Sequence, residues 1–161
     1  MYEISKQPFY VAPHQMCFGT GRRYCITKDG IPYLTVDTVE TYHQMHLPCC
    51  IYRNQLYIAD YWNLHQIDLD TLAHCVREDI KFFYFGYFEP LPDQLLFSTD
   101  SDVYALDGSG KILWHTENLA IDGITFSGLN DNGKICISCC FDPLEEWHER
   151  LLDLKTGREC T

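Results

Sequence analysis

Histidine and cysteine lie closest together in His43-x2-His46-x2-Cys49-Cys50, and imidazole and thiolate are the donors a zinc ion prefers. A tetrahedral site needs four such donors in register. No second Cys-x2-Cys or His-x3-His element follows, so Cys136, Cys139 and Cys140 would have to complete the set from far along the chain. Isolated cysteines more commonly act as small buried hydrophobes, and no metal is expected. Glu145, Glu146 and Glu149 offer the paired carboxylates of a hydrolase, but within a short acidic loop they read as solvated charges. No Gly-x-Ser-x-Gly elbow or recognisable Cys/His signature marks a nucleophile. Gly19-Thr20-Gly21-Arg22-Arg23 has the glycines and cations of a phosphate cradle. It falls at a bend between strands, however, and not at the helix N-terminus where an anion gathers unpaired N–H groups. These residues predict neither catalysis nor a cofactor.

The elements that must carry them repeat. Segments beginning at Gln15, Gln55 and Gln94 each run through a short apolar strand, a polar bend, an alternating strand, a turn rich in Asp, Gly or Thr, and a third apolar strand. Their starts lie 40 and 39 residues apart, and a further step reaches Gly133, where GKICISCC opens a fourth copy with an inserted loop, FDPLEEWHE. Val103, Ala105 and Asp107 alternate with Tyr104 and Leu106, and His65, Ile67 and Leu69 alternate with Gln66, Asp68 and Asp70, the period of a strand. Lys28-Asp29-Gly30, Asp107-Gly108-Ser109-Gly110 and Lys155-Thr156-Gly157 supply the turn residues a hairpin needs. The best helix candidate, Leu144 to Leu152 after Pro143, is short and poorly patterned. Phe82 to Phe88 is apolar on both alternating faces and reads as a strand covered on both sides.

The 161 residues fit a single domain, 1–161, with an aromatic share of 14% that leans toward sheet. No apolar run reaches the length of a membrane helix, and the first sixteen residues lack the basic start and apolar stretch of a signal peptide. A cytoplasmic protein is therefore expected. Its nine cysteines, odd in number and including two adjacent pairs, argue for reduced thiols and against a disulfide framework. The net charge is −11 and uneven: residues 1–80 carry six basic and nine acidic side chains, residues 81–161 six and fourteen. Such a field disfavours nucleic acid and anionic membranes and speeds encounter with a cationic protein.

Val103-Tyr104-Ala105-Leu106-Asp107 with Gly110-Lys111-Ile112-Leu113-Trp114 resembles the tandem repeats of quinoprotein-type, PQQ-like β-propellers. Ile67-Asp68-Leu69-Asp70-Thr71 and Leu152-Asp153-Leu154-Lys155-Thr156-Gly157 are similar to the same hairpin. The resemblance implies an all-β antiparallel fold, propeller-like with about four small repeated blades. A two-sheet β-sandwich is the alternative. Enzymes of that family enclose a cofactor with six to eight blades, more than four copies supply. Leu119 to Thr125 and Trp147 to Gly157 are also similar to small bacterial proteins of this repeat type, and small acidic proteins of this kind include toxin-immunity proteins.

If the copies are equivalent, their first bends share one rim: Arg22-Arg23, Tyr61-Trp62-Asn63, Asp100-Ser101-Asp102 and Asp142 to Glu149. That rim gathers Tyr61, Trp62 and Trp147 among Asp100, Asp102, Asp142, Glu145 and Glu146, aromatic anchors in a carboxylate fringe suited to a basic protein surface. The expected function is immunity-type neutralisation of a cognate, basic antibacterial toxin by a monomer or weak homodimer. A scaffolding module that self-associates through Phe82 to Phe88 is the alternative.

Overall fold

The computed structural model describes residues 1–39, 49–60, 63–80, 86–141 and 146–160, and among these the secondary structure is entirely strand and turn. Among the described residues, fifteen strands form four sheets. The second sheet is a meander of β5 (Cys49–Tyr52), β6 (Gln55–Ala59), β7 (Leu64–Asp68) and β8 (His74–Val76). The third repeats it with β9 (Tyr87–Pro90), β10 (Leu95–Ser98), β11 (Val103–Leu106) and β12 (Ile112–Thr116). The fourth has three strands, β13 (Gly123–Leu129), β14 (Ile135–Cys140) and β15 (Trp147–Leu152), with an added bridge between Leu152 and Glu159. The central strands β6, β10 and β14 start at Gln55, Leu95 and Ile135, a constant step of 40 residues.

The first sheet departs from the repeat. It comprises β1 (Tyr2–Ile4), β2 (His14–Cys17), β3 (Gly21–Lys28) and β4 (Ile31–Val39) in the order β1-β3-β4-β2, with β2 parallel to β4. The segment from Gln15 thus supplies an edge strand, and Arg22 and Arg23 lie within β3, not in the bend. The detour is closely packed. A Cβ on Gly19 would come within 2.5 Å of Val39 Cγ2 and 2.7 Å of its backbone nitrogen, so the β2–β3 connection passes directly over the end of β4. The helix candidate is also corrected: Trp147–Leu152 is strand β15, paired along its length with β14, Glu146 precedes it outside any helix, and Leu144 and Glu145 lie outside the described residues.

The first strands β1, β5, β9 and β13 lie side by side in series, and the four sheets take a propeller-like layout not closed into a barrel. Three apolar cores separate them. Tyr24, Ile26, Leu34 and Val36 meet Leu56, Ile58, Ile67 and Leu69 between the first and second sheets. Tyr57, Ala59 and Leu64 meet Phe88, Phe97, Tyr104 and Leu106 between the second and third. Leu96, Val103, Ala105 and Trp114 meet Ile124, Ile135, Ile137, Cys139 and Leu152 between the third and fourth. Alternation along β11 therefore divides its side chains between two cores, not between core and water. Of the expected two-sided aromatic strand, Tyr87 and Phe88 open β9 and Phe88 is buried, while Phe82 to Phe85 lie outside the described residues.

One device closes the outer hairpins. Asp68 accepts hydrogen bonds from the N–H groups of Asp70 and Thr71 and from Thr71 Oγ1 at 2.7–3.1 Å. Asp107 does the same for Ser109 N, Ser109 Oγ and Lys111 N, Asn130 for the N–H groups of Asn132 and Lys134, and Asp153 for Lys155 N, Thr156 N and Thr156 Oγ1. Hydrogen bonds to the charged form hold these carboxyls below their ordinary range: Ser109 does so at Asp107, the Thr71 amide at Asp68, and the Lys134 ammonium brings Asp153 to about 2. A carboxyl depressed in the folded state contributes stability above its unfolded pKa and loses it as pH falls through the folded value. The wild type should therefore destabilise progressively below about pH 4, where unfolded aspartates protonate. Asp107→Ala should lower the melting temperature at pH 7 by several degrees and by less at pH 2, as read by circular dichroism melts at the two values.

None of the nine cysteines is in a disulfide. Cys25, Cys49, Cys139 and Cys140 are buried, and burial pushes the Cys139 thiol up to about 11.

Candidate functional site

The β6–β7, β10–β11 and β14–β15 bends occupy equivalent places in successive meanders. Residues 118–122 tie two of them together: Leu119 N donates to Ser101 O at 2.7 Å, and Ile121 N donates to Cys140 O at 2.9 Å. Of the rim residues read from the sequence, Tyr61, Trp62, Asp142 and Glu145 lie outside the described residues, as do His43 and His46 of the metal-like cluster. Cys49 of that cluster is buried in the core between the first two sheets. Among the described residues, no three His, Cys, Asp or Glu side chains are placed to hold a metal ion.

Asp102 is turned inward, with 8% of its surface exposed. It accepts from Ser101 Oγ at 2.6 Å, from Asn118 N at 3.1 Å and meets His115 Nε2 at 2.9 Å. Burial opposes ionisation of this carboxyl, but the three hydrogen bonds outweigh it and hold the group below the usual range. The His115 ring stacks on Tyr104 with centroids 3.9 Å apart and planes 10° from parallel. Asp102 thus braces the bend, and the bend's outer surface is left to its neighbours. Asp100 is half-buried beside it, and Glu117 stands 64% exposed, its Oε1 3.8 Å from His115 Nδ1. At the next bend, Glu146 is 70% exposed and Trp147 43% exposed, and His148 and Glu149 follow them on the surface of β15.

A second Asp–His pair braces the β6–β7 bend. Asp60 Oδ2 lies 2.9 Å from the buried His65 Nε2, whose Nδ1 lies 3.0 Å from His74 Nε2. Phe18 from the β2–β3 bend stacks on both imidazoles, with centroids 4.5 and 4.1 Å away, so this relay also fastens the first sheet to the second. Burial, and then the neighbouring His65, lower the pKa of His74. Neither pairing is legible from residue type, because the partners are brought together across paired strands. Tyr104 faces His115 across β11–β12, and His65 and His74 sit on adjacent strands. Asp60 directly follows the apolar strand β6, whereas Asp102 directly precedes β11, so the two acids share no position in the repeat.

The geometry therefore offers, among the described residues, an inner layer of Asp–His–aromatic contacts beneath an outer layer of exposed carboxylates and the exposed indole of Trp147. Such a surface can desolvate an aromatic anchor while steering a cationic partner. Searches against protein-family models and curated proteins find no match for this chain.

Proposed function

We propose that this protein acts by binding another protein, using the acidic rim to engage a basic surface, and that its partner is a cognate antibacterial toxin that it neutralises by coverage. The observation that carries the reading is the exposure of Trp147 and Glu146 where β15 begins, at 43% and 70%, together with the 64% exposed Glu117 next to the bend that Asp102 and His115 brace. A braced surface loses little conformational freedom on docking, so more of the contact energy appears as affinity. The charge of −11 adds long-range attraction for a cationic domain. The hairpin resemblance to PQQ-like repeats and the small acidic character favour the immunity-type reading over an enzymatic one. No covalent step or cofactor is required.

The test is co-expression with the product of the adjacent reading frame. Protection of growth and a stoichiometric complex are expected. Glu117→Lys combined with Glu146→Lys should slow association by about ten- to a hundredfold at low salt and flatten its salt dependence, with a smaller effect on dissociation. A neighbour that is neither toxic nor bound removes the toxin reading. An unchanged association rate in the double variant removes the rim.

A further inference from the structure

A hollow of about 510 Å³ opens between the third and fourth sheets. The β9–β10 turn, β12, the end of β13 and the turn after β15 surround it. Successive turns of a meander alternate between its two ends, so the hollow lies at the opposite end of the strands from the β10–β11 and β14–β15 bends of the rim. Its volume falls within the roughly 300–1,000 Å³ of pockets that hold small organic molecules.

Leu91, Leu113, Trp114, Leu129 and Leu154 give it apolar walls. Trp114 is buried and forms the inner side, whereas Leu113 and Leu129 stand exposed at the edge. Asp93 and Lys155 are exposed there too, and neither has an ion-pair partner among the described residues. Their opposite charges leave the entrance without a net charge, which favours an uncharged ligand over a cation or an anion.

The polar groups inside are not balanced. Trp114 Nε1 and Gln94 Nε2 both donate to Leu154 O, at 3.1 and 3.0 Å, so these two side-chain donors are spent. Gln94 is 7% exposed, and its Oε1 has no hydrogen-bond partner among the described residues. That oxygen is not sealed in the core, where the unpartnered side-chain atom is Tyr57 Oη. A fixed acceptor among apolar walls rewards a ligand that brings a donor and penalises one that brings a second acceptor. The bond to Leu154 O also orients the Gln94 amide before any ligand arrives.

We infer that this cleft binds a small, uncharged, flat aromatic molecule carrying one N–H or O–H donor, with its ring between Trp114 and the leucines and its donor on Gln94 Oε1. Sheets pack about 10 Å apart, so a space between them is a slot that suits a flat ring, and Trp114 offers that ring an aromatic neighbour. The inference is independent of the toxin reading, because the cleft contains none of the rim residues.

The probes that test it are indole, which has the ring and the donor, and N-methylindole, which keeps the ring and lacks the donor. Each is titrated into the isotope-labelled protein while amide signals are followed by NMR. Indole should shift the amides of Leu91, Asp93, Gln94, Leu154 and Lys155 and the Trp114 Nε1–H, and should bind at least about tenfold more tightly than N-methylindole. A cleft that selected only for apolar surface would prefer N-methylindole, so equal or tighter binding of that probe overturns the inference. Leu113→Asp, a change at an exposed position, should weaken indole binding at least about tenfold while circular dichroism melts show the fold intact. Gln94→Met should erase the preference between the probes; the wild-type comparison needs no variant and decides the donor question even where Gln94→Met does not fold. Absence of these shifts at the solubility limit of indole, shifts centred on Trp147, or unchanged affinity in a folded Leu113→Asp also overturns the inference.

Discussion

Gly157→Ala should cost about 2–4 kcal/mol and lower the melting temperature by about 4–16 °C. Gly157 adopts φ +68°, a conformation that charges any residue with a Cβ about 1 kcal/mol. A methyl group here would also press into Trp114 and come within 2.6 Å of Thr116 Oγ1. Neither neighbour can yield. The indole Nε1 donates to Leu154 O at 3.1 Å, Thr116 Oγ1 donates to Gly157 O at 2.8 Å, and Gln94 Nε2 donates to Leu154 O at 3.0 Å. The turn 154–157 is therefore the fastening of the fourth sheet to the third, and strain at Gly157 is shared by all three bonds. Gly30→Ala is the control, since Gly30 has φ +77° but nothing within 4 Å of the new methyl. It should lose only the backbone contribution, about 1 kcal/mol. Equal losses in the two variants, read from thermal and denaturant melts, would refute the steric argument.

Arg77→Ala should be of similar severity, about 2–4 kcal/mol, through a different mechanism. The Arg77 side chain is 8% exposed and clamps the second sheet to the third, donating from Nη1 to Gln66 Oε1 at 2.9 Å and to Gly110 O at 2.6 Å. Its Nε and Nη2 grip Asp79 at 2.8 Å each. Truncation leaves the Gly110 carbonyl and the Gln66 amide oxygen without their donor in a region closed to water. Asp79, 54% exposed, rehydrates and moderates the loss. Arg77→Lys keeps the charge but not the fork, and should recover less than half of the stability. The Arg77 guanidinium also depresses the pKa of Asp79, so the pair's contribution is present at neutral pH and fades as acid protonates the carboxylate. A double-mutant cycle with Asp79→Ala separates the ion pair from the inter-sheet bonds.

Local patterning made much of the fold legible. The alternation of β7 and β11 and the Asp-led turns after them are properties of a few adjacent residues, and these were readable from residue type. Strand order is not local. Nothing near His14–Cys17 announces that it will run parallel to β4, because that pairing joins residues about twenty positions apart and its connection passes close to Val39 at Gly19. Arg22 and Arg23 looked like bend residues beside two glycines, yet the antiparallel register with β4 extends through Thr38 and Asp37 and draws both into the strand. At the rim, exposure of Glu146 and Trp147 followed from the inserted loop, whereas the inward turn of Asp102 depends on His115, thirteen residues later and across a strand pair. Side-chain partnership across strands sets the limit of such reading.

Among the described residues, the apolar cores join each sheet to its neighbours in the chain. Stability in such an array is approximately a sum of per-sheet and nearest-neighbour contributions, as in a one-dimensional chain of coupled spins. Unfolding then has a direction: it starts at a terminus and travels inward one junction at a time, so amide exchange should be slowest in β6, β7, β10 and β11 and fastest in β15.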